Sequence, residues 1–209
     1  MKRIFDLLFG TFILIVLSPL FLVGACLAKF QSPGPIFYKA KRVGRGGRLF
    51  EMVKFRTMVV NADALGTSPD GSGCKHLTTY RDPRITRLGR FLRWTKWYEL
   101  PQLFNVIRGD MSLIGPRPEA PVYVQYYTER QKQVLCVRPG ITGPAQVANR
   151  DEEKLLKGQL HPEQYYITQL MPKKLEIDLQ YLETQSFGSD LLWLIKTFFV
   201  VIFPPKGER

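Results

Sequence analysis

Tyr98 and Glu99 stand side by side just ahead of Leu100-Pro101, where a helix is expected to begin. Proline suits a first turn, and Leu103, Val106 and Ile107 keep helical spacing up to a stop at Gly109. Free N–H groups and the positive dipole end at such a terminus favour bound phosphate and stabilise an adjacent anion. Downstream, Gly115-Pro116-Arg117-Pro118 and Arg138-Pro139-Gly140-Ile141-Thr142-Gly143 each hold an arginine beside proline and glycine. Proline fixes φ, glycine admits close backbone approach, and arginine then presents a rigid fork to phosphate oxygens. Lys54 and Arg56, two apart on an expected strand, would share one cationic face, which either binds phosphate or simply faces water. Arg87, Arg90 and Arg93 line one side of an expected helix over Arg84 to Trp97, with Leu88, Phe91 and Leu92 on another. Together these residues point to a phosphoanion site.

Other chemistries lack their residues. Cys26, Cys74 and Cys136 are odd in number, far apart and outside any CxxC pattern, so neither a disulfide framework nor a zinc site is indicated. His76 and His161 lie far apart in polar stretches and receive no metal or catalytic role. No Walker A, GxGxxG or HExxH pattern occurs. Thirty Lys and Arg against eighteen Asp and Glu give a formal charge of +12, which attracts nucleic acid, anionic lipid or phosphorylated small molecules alike. A nucleic-acid partner is not expected, because no recognition motif accompanies the charge.

The elements that must position these residues divide the 209-residue chain into three stretches: an anchor over 1–32, a body over 33–190 and a tail over 191–209. Leu7 to Ala28 carries no charge and is long enough to cross the roughly 30 Å core of a bilayer. Ser18-Pro19 interrupts the run, and both flanks are positive: Lys2 and Arg3 before it, and eight basic residues against Glu51 over residues 29–60. The positive-inside tendency keeps both ends on one side, which a re-entrant helix broken at Ser18-Pro19 satisfies; a kinked span is the alternative. Ile36 to Val43 and Leu49 to Met58, around Gly44-Arg45-Gly46-Gly47-Arg48, read as a β-hairpin. Asn61 to Thr79 reads as a mobile loop. Leu191 to Phe203 is apolar but too short to span, and reads as a helix at the interface that could equally pair two protomers. The fold class is therefore α/β, mostly helical with a small sheet, on a membrane surface.

Lys54-Phe-Arg-Thr-Met58, the string from Glu99 through Pro118, Arg138 to Gly143 and the Ser18-Pro19 break closely resemble the bacterial sugar transferase family, the monotopic phosphoglycosyl transferases. The resemblance covers nearly the whole chain. It implies a re-entrant helix, a small α/β body on the cytoplasmic face of the bacterial inner membrane, and Mg²⁺-dependent transfer of sugar-1-phosphate from a UDP-sugar to undecaprenyl phosphate, with UMP released. That is the first membrane step of a surface glycan pathway. It also implies phosphate-binding roles for Lys54, Arg56, Arg87, Arg117 and Arg138, with Glu99 and Asp110 as candidate metal ligands. By the same analogy the polar stretch Asn149 to Pro172, with Asp151, Glu152 and Glu153, lies near the donor sugar.

In such enzymes an Asp-Glu pair opens this helix, the Asp attacking the donor phosphate. Here Trp97-Tyr98-Glu99 keeps the glutamate and replaces the aspartate. A phenol with an ordinary pKa of about 10 attacks poorly at neutral pH unless its phenolate is stabilised. Four readings follow: Tyr98 attacks, Glu99 attacks, the lipid phosphate attacks directly, or the chain is a binding scaffold without turnover.

Overall fold

The computed structural model describes residues 2–31, 33–62, 77–78, 82–150, 152–156 and 159–203. Most of the expected Asn61 to Thr79 loop, with Cys74 and His76, lies outside the described residues, as do Asp151 and Pro204-Pro205.

The uncharged N-terminal run forms two helices, α1 (Lys2–Val16) and α2 (Ser18–Phe30), bent by 66°. The bend falls at Leu17 because Pro19 sits in the first turn of α2, where its missing N–H costs nothing. No single described helix is long and apolar enough to cross a membrane; the bent pair passes that test only together. Large apolar side chains stay exposed along it, Leu8 at 67% and Leu22 at 68%. α1 is nonetheless tied to the body by polar bonds. The carboxylate of Asp6, 2% exposed, accepts from Ser112 Oγ (2.9 Å) and the Leu113 amide (3.0 Å), and Lys2 pairs with Asp190.

The expected hairpin is present as β1 (Phe37–Val43) and β2 (Leu49–Phe55), antiparallel with Phe37 opposite Phe55 and Val43 opposite Leu49. Phe55 stacks on Phe37 (5.6 Å between centroids) and meets Phe21 of α2 edge-on (5.2 Å), so the hairpin's end rests on the bent pair. The basic helix, α3 (Arg87–Trp94), is shorter than expected because Thr86 caps it, accepting from the Gly89 amide. Next come α4 (Gln102–Arg108), β3 (Ser112–Ile114), α5 (Pro121–Val124), β4 (Gly140–Thr142), α6 (Pro144–Ala148), α7 (Glu152–Leu155), α8 (Pro162–Tyr165), α9 (Met171–Thr184) and α10 (Phe187–Ile202). The π-helical stretch Tyr166–Leu170 joins α8 to α9.

β3 and β4 form a second, parallel pair, Ser112 opposite Gly140 and Ile114 opposite Thr142. A Cβ on Gly140 would lie 2.1 Å from the Gly115 amide nitrogen, so only glycine lets these two motifs touch. The class is thus mostly helical with two small two-stranded sheets, within the expected α/β reading. α10 begins four residues before Leu191, since Ser186 and Ser189 form a capping box with reciprocal side-chain bonds.

Candidate functional site

Tyr98 and Glu99 do not stand at the terminus of α4. They lie in a separate 3-10 turn, Trp97–Glu99, followed by Pro101 at the cap of a seven-residue helix. Lys96 opens that turn in the left-handed conformation (φ 60°), uncommon for a residue with a side chain and a form of strain that gathers at functional sites. What stabilises the anion is therefore a set of cations rather than a long helix dipole.

Glu99 Oε1 is 3.2 Å from Arg117 Nη2 and 3.7 Å from Lys54 Nζ. Burial alone would push the Glu99 carboxyl upward, but the charges of Arg117, Lys54 and Lys96 outweigh it and hold the group well below the usual carboxylate range. Burial pushes the Lys54 ammonium down to about 7, against the pull of Glu99. The Lys96 ammonium is lowered for the same first reason. The Tyr98 ring lies between two cations, 5.1 Å from Lys54 Nζ and 5.4 Å from Arg93 Cζ, and its hydroxyl bonds to Glu99. Burial, then the neighbouring Glu99 charge, drives the phenol far above its ordinary value, so Tyr98 stays protonated and donates to the carboxylate.

Arg117 reaches this point because the Gly115 to Pro118 turn leaves β3 where β4 crosses closest, and its amide, with that of Ala145, bonds Asp178 of α9. Arg93 is held by Thr57 Oγ1 (2.9 Å) and Glu153 (2.9 Å). Lys54, Arg93, Lys96, Tyr98, Glu99 and Arg117 all line one cleft of about 1430 Å³.

Of the other expected site residues, Arg56 lines the same cleft as Lys54, and its guanidinium also donates to Pro33 O (2.7 Å) and Ala28 O (3.2 Å), fastening the end of α2. The rest are placed elsewhere. Asp110 and Arg138 belong to the far end of α4, seven residues or roughly 10 Å of helix from its start. Gly109, at φ 98°, ends that helix; Asp110 accepts from Asn105 Nδ2 (3.2 Å) and Arg138 Nε donates to Gly109 O (2.8 Å). Neither lines the cleft, and nor does Arg87, which is exposed on α3. Asp110 is therefore not brought to Glu99 as a second metal ligand.

Sequence reasoning missed Arg93 and Lys96 as members of the site. Arg93 was legible only as one of three arginines on a helix face, and the left-handed turn at Lys96 leaves no signature in its residue type.

The chain matches the family model described as bacterial sugar transferase over residues 1–204. It is 36% identical over 199 residues to a UDP-glucose:undecaprenyl-phosphate glucose-1-phosphate transferase of Caulobacter vibrioides, covering 94% of this chain and 67% of that one. It is 36% identical to the exopolysaccharide production protein ExoY of Sinorhizobium fredii, covering 94% and 83%. A UDP-N-acetylgalactosamine-undecaprenyl-phosphate N-acetylgalactosaminephosphotransferase of Aeromonas hydrophila is 35% identical, covering 96% of this chain but 43% of that protein.

Proposed function

For this chain, which belongs to the bacterial sugar transferase family, we propose the transfer of sugar-1-phosphate from a UDP-sugar to undecaprenyl phosphate, releasing UMP and starting the assembly of a glycan. It is an enzyme, a transferase, as its named relatives are. The observation that carries the reading is the carboxylate of Glu99, held ionised by Arg117 and Lys54 in a cation-lined cleft.

Of the four readings open from sequence, attack by Glu99 fits this geometry best. Tyr98 would have to give its proton to a carboxylate that resists protonation, and the two groups are displaced in opposite directions. One Glu99 oxygen bonds the phosphorus that carries the sugar, and the bond from that phosphorus to UMP breaks. An oxygen of the lipid phosphate then displaces Glu99, restoring the carboxylate. Arg117, Lys54 and Arg93 neutralise the donor diphosphate and the leaving UMP. Tyr98 keeps the carboxylate oriented.

Among the described residues no three His, Cys, Asp or Glu side chains gather as a metal site. Glu152 and Glu153 face the cleft but pair with Lys174 (2.7 Å) and Arg93 (2.9 Å). This donor set fits a Mg²⁺ that would be held chiefly by the donor's own phosphate oxygens and water, as Mg²⁺ commonly is, with Glu99 among the described cleft carboxylates that could touch it. The ion would supply further neutralisation of the diphosphate. The bent α1–α2 pair and its exposed apolar side chains support a seat on the cytoplasmic face of the inner membrane, with the pair re-entrant.

The test is UMP release by the detergent-solubilised protein with Mg²⁺, undecaprenyl phosphate and a panel of UDP-sugars. Release that requires the lipid phosphate is expected with at least one donor. Donor binding without release from any UDP-sugar would replace catalysis with the scaffold reading.

A further inference from the structure

The cleft around Glu99 has a second, apolar arm that the donor gives no use for. α10 supplies Leu194, Thr197, Phe198 and Val201 to it, at the i, i+3, i+4, i+7 spacing of a single helix stripe. The bend between α1 and α2 supplies Ile13, Leu17 and Leu20. Ile13 and Leu194 pack against the same core cluster, so both walls rest on one part of the body.

α10 is fixed to the reaction centre by two polar bonds. Thr197 Oγ1 and Thr142 Oγ1 are 2.8 Å apart, and Thr142 ends β4, the strand that crosses Gly115 beside Arg117. The Arg150 guanidinium donates to Val200 O, while its own carbonyl accepts from Lys96 Nζ (3.4 Å). A helix that only rested on a lipid surface would need neither bond. One cavity thus joins a cationic end to an apolar end, which suits an amphiphile with a phosphate head and a hydrocarbon tail; a UDP-sugar has no such tail.

We propose that the first isoprene units of the acceptor lie along the Leu194–Val201 stripe of α10, with the acceptor phosphate among Lys54, Arg93, Lys96 and Arg150. The proposal rests on the acceptor class given under the proposed function. α10 is then a wall of the acceptor site as well as a membrane-facing element. Other exposed apolar side chains of the helix, Phe187, Leu192, Ile195 and Phe199, do not line the cleft.

The test is binding to the full chain in zwitterionic nanodiscs, which requires no turnover. A polyprenyl phosphate bearing a diazirine in its second isoprene unit is crosslinked and the labelled residues are mapped. Label is expected within 194–201 and 13–20, displaced by undecaprenyl phosphate and not by phosphatidylglycerol. The paired variant Leu194→Ala/Phe198→Ala should weaken undecaprenyl phosphate binding about tenfold, while UDP-glucose binding shifts less than about twofold. Ile195→Ala/Phe199→Ala, on the same helix, should leave both within about twofold. Label confined to other segments, equal losses in the two paired variants, or equal displacement by phosphatidylglycerol would overturn the proposal; the last result would assign the arm to bilayer acyl chains. A wild-type protein that binds the lipid in this pattern yet releases no UMP would overturn the catalytic reading and leave the groove standing.

Discussion

Lys54 gives the sharpest handle on the site, because a buried ammonium whose pKa lies near 7 changes charge within the working range. The phosphates of a UDP-sugar carry no proton to lose there, and its uracil begins to lose one only at the top of the range, so a change in donor affinity between pH 6 and pH 8 reports the protein. If the donor binds the protonated form, the dissociation constant for UDP-glucose rises about tenfold from pH 6 to pH 8. Lys54→Arg keeps its charge throughout and should flatten that limb. Stability moves the other way. With the folded-state value below the ordinary 10.5, the unfolded chain binds more protons between about pH 7 and 10.5, so this group makes folding more favourable as pH rises. Weakened binding over pH 7–8 is therefore separable from unfolding by recording Tm beside the binding isotherms. An equal limb in Lys54→Arg, or a flat wild-type profile, would refute the reasoning.

Two further outcomes probe the scaffold. Gly140→Ala places a Cβ 2.1 Å from the Gly115 nitrogen, and the clash is with backbone, so β3 and β4 must part; a loss of about 3 kcal/mol is expected, a Tm drop of roughly 6–12 °C by calorimetry. Asp6→Ala strips the acceptor from Ser112 Oγ and the Leu113 amide and should cost about 2–3 kcal/mol in urea unfolding, whereas loss of a surface carboxylate would cost less than about 0.5.

The parts of this fold that were legible in the sequence are those governed by local rules. The hairpin follows from two apolar-rich runs around a glycine-rich turn, and the end of α4 from Gly109, whose φ of 98° few other residues accept. The bend before Pro19 follows from the proline itself. What failed was inference across an element's end. Lys54 and Arg56 do line one cleft, but Asp110 and Arg138, which the family resemblance placed with Glu99, lie at the opposite end of α4 from it. The cationic pocket itself is tertiary. Arg93, Lys96 and Arg117 come from a helix, a left-handed turn and a strand exit, and only the crossing of Gly115 with Gly140 brings the last of them to Glu99.

The central claim is that Glu99, and not Tyr98, carries the reaction, and UMP release by Tyr98→Phe and Glu99→Gln beside the wild type tests it most directly. Tyr98→Phe keeps the ring between Lys54 and Arg93 and loses only the hydroxyl, so release should stay within about tenfold of wild type, while Glu99→Gln should lower it about a thousandfold or more. The reverse pattern, with Tyr98→Phe inert and Glu99→Gln active, would contradict the account and return the attack to the phenol.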